Sequence, residues 1–163
     1  METPSVGTDS PADTLVTAEG SFDQESLTAW DQSLIASAAE AFHNSIGIMF
    51  PVYAKNEIED ILARAAGPQG GYEYTVASLG SFESTAKGAL LGELSALTAV
   101  GLQYCQVGLQ VGDSATVSND QLRLFSRQHY EYARSCLDCC IEKNPLNAMK
   151  VFTLLVSFVS GSM

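Results

Sequence analysis

Three of the four cysteines lie within five residues of one another, and they are the first residues in this chain whose types and spacing suggest chemistry. In a helix, Cys136 and Cys140 lie on one face with Cys139 beside it, so two thiolates could reach one zinc ion. A zinc site needs two more ligands, and His129 lies about 10 Å along the helix axis from Cys136, which is too far for a shared ion. We favour the interpretation that these cysteines pack in the core as small apolar side chains. A redox-sensitive thiol and a metal site are the alternatives.

Other catalytic patterns are absent from the sequence. Nucleophilic Cys–His catalysis needs a thiol beside an imidazole, and His129 is too distant from Cys136 while His43 is unplaced. Both histidines are expected to be surface or boundary residues. There is no phosphate-binding loop and no Gly-X-Ser-X-Gly motif. We therefore predict no catalytic residue, no cofactor, no metal and no enzymatic activity.

Charged residues indicate solvated helix surfaces rather than binding sites. Glu57, Glu59 and Asp60 lie near a predicted helix start, where the helix dipole favours acids. Arginines recur along a later helix but are interspersed with acids, which predicts a salt-bridged face. These arginines are Arg123, Arg127 and Arg134.

The overall charge excludes several partners. The 163 residues carry 8 basic and 19 acidic side chains, for a net charge of −11. Nucleic acids and anionic membranes need clustered Lys and Arg, so direct contact with either is not expected.

No basic segment followed by an apolar run marks a secretory signal, and the most apolar stretch, Val151–Val159, is too short to span a bilayer. The cysteines are read as reduced thiols of an intracellular protein.

The chain divides into two parts. Residues 1–25 are rich in Ser, Thr, Asp, Glu, Gly and Pro, which predicts a disordered acidic tail. This tail is read as solvated; with Phe22, Leu27 and Trp30 interspersed among its acids, a short activation-like segment is the alternative. Residues 26–163 are predicted to form the folded domain.

Apolar residues at spacings of three and four predict an all-α bundle of about five helices, and no hairpin of strands is expected. The helices are predicted from Asp31 to just before Pro51, and over Asn56–Ala65, Ser84–Val107, Asp120–Lys143 and Leu146–Ser160. The third is rich in Ala and Gly, which indicates close helix–helix approach and burial on most sides. The fifth is apolar almost all round and is expected to be central, or to bury a face in a partner protein or a second copy.

Four segments together resemble a known family. They are Ala41–Tyr53 (AFHNSIGIMFPVY), Ala89–Gly101 (ALLGELSALTAVG), Tyr130–Asp138 (YEYARSCLD) and Asn147–Leu155 (NAMKVFTLL). Their order and spacing are similar to the opening part of the fungal-specific transcription factor regulatory domain, the middle homology region of zinc-cluster factors. The resemblance covers about residues 40 to 160.

The resemblance implies an all-α regulatory domain of a nuclear transcription factor, without the DNA-binding module that usually precedes it. Its function would be transcription regulation through helix-mediated protein association. Seven residues are expected to serve in the core or an interface: Phe42, Phe50, Pro51, Leu94, Tyr132, Leu137 and Phe152. A free-standing cytoplasmic helical adaptor unrelated to transcription is the alternative, and a thiol enzyme is a third possibility.

Overall fold

The computed structural model describes residues 28–49, 51–66, 85–105, 110–111 and 115–161. The predicted all-α class is confirmed. The helices are α1 (Gln32–Asn44), α2 (Ile46–Met49), α3 (Lys55–Ala65), α4 (Thr85–Tyr104), α5 (Asn119–Ser135), α6 (Leu137–Lys143) and α7 (Pro145–Gly161). The predicted acidic tail lies outside the described residues.

Local signals set several helix ends. Asp31 caps α1, because its carboxylate accepts hydrogen bonds from the backbone N–H groups of Ser33 (2.9 Å) and Leu34 (3.2 Å). Ser118 caps α5 by accepting from the backbone of Gln121 at 3.2 Å. Pro145 is the first residue of α7, a position where its missing backbone N–H costs no helical hydrogen bond.

Helix α4 is the centre of the bundle, and α1, α3, α5, α6 and α7 pack against it. Every residue from Leu91 to Leu102 is buried. The close approach predicted from its small residues is confirmed at two glycines. A Cβ on Gly92 would lie 2.8 Å from Cys136 Cβ, and one on Gly101 would overlap the backbone of Ala38. The missing side chains therefore let α6 and α1 reach the backbone of α4.

The predicted fourth helix is not continuous. It breaks at Cys136, which has φ −89° and ψ −1° and separates α5 from α6. The Ser135 hydroxyl donates to the carbonyl oxygen of Tyr132 at 2.7 Å, and such local side-chain bonds compete with the regular helix ladder. The first predicted helix is likewise interrupted at Ser45, between α1 and α2.

A short hairpin corrects the expectation that no strands pair. Strands β1 (Gln110–Val111) and β2 (Ala115–Thr116) are antiparallel, with Gln110 opposite Thr116. Two residues per strand are too few to produce the alternating pattern by which a strand is recognised in a sequence.

Helix α7 is not central, contrary to the prediction. It packs one face on the core through Ala148, Val151, Leu154 and Leu155, while other apolar side chains face outward. The small residues that allow neighbours on every side belong to α4, so α4 takes the central position instead.

Candidate functional site

The most distinctive surface of the described chain is a row of exposed apolar side chains on α7. We call Met149, Phe152, Val156 and Val159 the apolar stripe; each is between 48% and 68% exposed. Their spacing of three, four and three places them within about 80° around the helix. This spacing is that of the seam by which one helix packs against another.

Helix α7, which carries the apolar stripe, has few polar groups that need a partner from outside the helix. Lys150 is the only ionisable residue in α7, and its ammonium group binds Glu57 at 2.7 Å. The hydroxyl groups of Thr153, Ser157 and Ser160 donate to carbonyl oxygens one turn earlier, at 2.8–3.0 Å. Burying this surface would therefore leave no hydroxyl donor unsatisfied.

A cluster of buried polar groups lies where α3, α4 and α7 meet. Its central residue is Glu93, which is 5% exposed on the otherwise apolar α4. Burial raises the pKa of this carboxyl group, and a hydrogen bond from the Asn147 side chain opposes the shift. The signal was present in the sequence: Glu93 is the single carboxylate of α4, and it is surrounded by apolar positions.

Two further groups of this cluster sit beside Glu93. The Tyr53 hydroxyl is buried without a hydrogen-bond partner in the described part of the chain, and burial, reinforced by Glu93, raises its pKa. Lys150 lies 4.7 Å from the centre of the Tyr53 ring while it holds Glu57. Its hydrogen bond holds the pKa of Glu57 below the ordinary value.

The cysteines pack as small apolar residues. Cys136 and Cys140 are buried, and Cys105 and Cys139 are partly buried. Burial raises the pKa of Cys136 to about 11 and of Cys140 to about 12. The pKa values of Cys105 and Cys139 are raised for the same reason. The raised pKa values disfavour the thiolate form that an activated nucleophile needs.

His129 is not the surface or boundary residue that the sequence predicted. It is fully buried, and its Nε2–H donates to the Ala29 carbonyl oxygen at 2.6 Å. The Trp30 ring meets it edge-on at 4.3 Å. The chain before α1 covers this face of α5, a contact between residues 100 positions apart that no local pattern reveals. His43 is half-buried.

The seven predicted core or interface residues do not form one site. Phe42 and Leu94 are in the core, and Tyr132 and Leu137 are half-buried. Pro51 and Phe152 are exposed, so neither packs in the core of this chain, and Phe152 belongs to the apolar stripe. Phe50 lies outside the described residues.

The arginines of α5 have their predicted solvated character, whereas Glu57 is half-buried and pairs with Lys150. Arg123, Arg127 and Arg134 are exposed, and Arg134 pairs with Glu131 at 3.6 Å. Glu57 accepts a hydrogen bond from the backbone N–H of Ala54 at 2.8 Å, at the start of α3.

Among the residues that the structure describes, no group of three His, Cys, Asp or Glu side chains could hold a metal ion. Within the same ranges, no helix has the length and apolar character required to cross a bilayer. No protein-family model, no curated protein and no solved structure matches the chain. The resemblance to a fungal regulatory domain therefore stays a prediction.

Proposed function

We propose that the chain is a helical protein-association module whose apolar stripe pairs with the same stripe of a second copy, in the service of transcription regulation. The apolar stripe is the observation that carries the association. Exposed apolar rows of this length on one helix are typical of interaction surfaces.

The exposed apolar surface extends beyond the apolar stripe to the start of α7. Leu146 there is 65% exposed, so five exposed apolar side chains follow one another along the helix. An interface is expected to be specific when it buries more than ~1,000 Å² in total, and the contact that we propose must reach that size.

Charge favours this face over the rest of the surface for contact between two copies. Each copy carries a net charge of −11, so two copies repel where acids meet acids. The apolar stripe contains no ionisable group, and its flanking hydroxyl groups are already bonded within α7. A self-contact along α7 therefore places no like charges in direct contact and leaves no hydroxyl donor unsatisfied.

The transcriptional part of this proposal rests on the resemblance of the four quoted segments. Nuclear residence belongs to the same proposal. A cytoplasmic adaptor unrelated to transcription would use the same helix face, and localisation of the tagged chain distinguishes the two. Fusion of the chain to a heterologous DNA-binding domain is expected to change the output of a reporter gene only under the transcriptional proposal.

The association is tested by light scattering and analytical ultracentrifugation of the full chain. We expect a dimer at about 100 µM or below, and a monomer for the double variant Phe152→Ser, Val156→Ser with an unchanged helical spectrum, because both side chains are exposed. Leu124→Ser is the matched control, since Leu124 is 54% exposed on α5 and lies off the apolar stripe.

Two results would contradict association through the apolar stripe. One is a wild-type chain that stays monomeric at that concentration. The other is a dimer that persists in the double variant and dissociates in the Leu124→Ser control, which would place the contact on α5.

A further inference from the structure

A cleft of about 440 Å³ opens between the end of α3, the start of α4 and the junction of α6 with α7. It lies apart from the apolar stripe. Its lining combines a buried carboxylate with several cationic side chains, and these two kinds of group come from different elements.

The carboxylate is that of Glu93, which lines the cleft although it is almost fully buried. Asn147 also lines the cleft and donates a hydrogen bond to Glu93. A carboxylate accepts about four hydrogen bonds, so one from Asn147 leaves capacity for a donor from a ligand. Burial raises the pKa of Glu93, while the hydrogen bond from Asn147 and the charges of Arg64 and Lys150 favour its ionised form.

The cations are Arg64, Lys87 and Lys143, and all three are exposed. They are three of only 8 basic residues in a chain with 19 acids. Arg64 also holds an exposed ion pair with Asp60 at 2.7 Å. The three come from the last turn of α3, the first turn of α4 and the last turn of α6, so the fold itself brings them together.

We propose that this cleft binds a small zwitterion of the amino acid class, with its ammonium group on Glu93 and its carboxylate among Arg64, Lys87 and Lys143. A simple anion would face the Glu93 carboxylate, and a simple cation would meet three positive side chains. A molecule with a donor at one end and an anionic group at the other satisfies both. The volume lies in the lower part of the 300–1,000 Å³ range of small-molecule sites.

The test uses the full chain and free L-amino acids, added one at a time and followed by ¹⁵N–¹H spectra and calorimetry. The amino acid that binds most tightly is then compared with its deaminated acid and its decarboxylated amine. We expect both analogues to bind more weakly than the parent, because each lacks one of the two contacts. Resonances of Glu93, Lys143 and Asn147 are expected to shift most.

Variants assign the two ends of the ligand. Glu93→Gln keeps the shape but removes the charge, and we expect about 10-fold to 100-fold weaker binding. Lys143→Gln is expected to weaken binding of the parent amino acid but not of the decarboxylated amine, because the substitution removes a positive charge that repels the amine. Lys55→Gln is the matched control, since Lys55 is an exposed cation paired with Glu59 outside the cleft.

Three outcomes overturn the proposal. The first is no binding of any amino acid. The second is equal binding of the parent and its deaminated acid with no effect of Glu93→Gln, which would make the cleft a site for simple anions. The third is binding that Lys55→Gln weakens as much as Lys143→Gln. The double variant Phe152→Ser, Val156→Ser should bind the amino acid normally, so this result is independent of dimer formation.

Discussion

The buried carboxyl group of Glu93 and the buried imidazole of His129 distinguish this bundle from a purely apolar one. Each lies on a helix whose buried face is otherwise made of apolar and small residues. Burial disfavours the charged form of both, so the pKa of Glu93 is raised and that of His129 is lowered to about 4. The stability of the fold therefore depends on pH through these two groups in opposite directions.

Substitution of His129 tests this dependence. The unfolded histidine titrates near pH 6.5 and the folded one near 4, so its contribution is complete above pH 6.5 and is lost as the pH falls towards 4. His129→Gln keeps a donor for the Ala29 carbonyl oxygen but does not titrate. When the pH is lowered from 7 to 5, we expect wild type to lose about 2 kcal/mol more of its free energy of unfolding than this variant loses. Urea unfolding at the two pH values measures the difference.

The control for this experiment is Gln128→Ala, an exposed neighbour on the same helix. Glu93 is present in all three proteins, so its opposite contribution cancels in the comparison. Equal pH dependence of wild type and His129→Gln would show that the imidazole does not carry the effect.

Local signals along the helices indicate where each element begins but not how the elements pack. The caps at Asp31 and Ser118 and the start at Pro145 follow from residue types that act on their own neighbours. The exposure of α7 depends on contacts with distant residues, and the break at Cys136 accompanies a local Ser135 hydrogen bond that the helical spacing of apolar residues does not reveal. Helices α4 and α7 are both strongly apolar, and their hydrophobic pattern alone does not predict which of them is surrounded by the other helices.

Gly101 tests the packing that places α4 at the centre. A Cβ at this position meets the backbone of Ala38, which cannot rotate away as a flexible side chain would. For Gly101→Ala we expect α1 to shift and the free energy of unfolding to fall by about 1–3 kcal/mol. Chemical denaturation followed by circular dichroism measures the change.

Gly161→Ala serves as the comparison, because its new Cβ would meet only the end of the Gln103 side chain, at 3.3 Å. We expect a change within about 0.5 kcal/mol for this variant. Equal stability of the two variants would mean that α1 does not approach α4 as closely as described.

Over the molecule as a whole, the charged surface and the exposed apolar surface lie in different places. The chain has a net charge of −11, yet α7 presents an uncharged face and three cations gather at one cleft. The composition predicted that nucleic acid and anionic membranes are poor partners. It could not locate the uncharged face of α7 or the cleft where three cations lie together. Arg64, Lys87 and Lys143 are far apart in sequence, and only the packing of three helix ends brings them together.

This separation predicts how self-association depends on salt. Salt screens repulsion between acidic chains beyond about 10 Å at 0.1 M ionic strength, whereas an uncharged contact is unaffected. We therefore expect the dimer to become tighter when sodium chloride rises from about 0.02 M to 0.5 M, as measured by sedimentation equilibrium. A dimer that weakens with salt would instead be held by ion pairs, such as acids of one copy on Lys143 of the other.

The central position of α4 has a consequence for the synthesis of the protein. When α4 leaves the ribosome, α1 and α3 are already outside, but α5, α6 and α7 have not yet emerged. At about 5–20 residues per second, translation of these helices takes several seconds. During that interval the apolar surface from Leu91 to Leu102 lacks most of its cover. The nascent chain thus presents a segment that chaperones can recognise, and it can complete its fold only after α7 has been released.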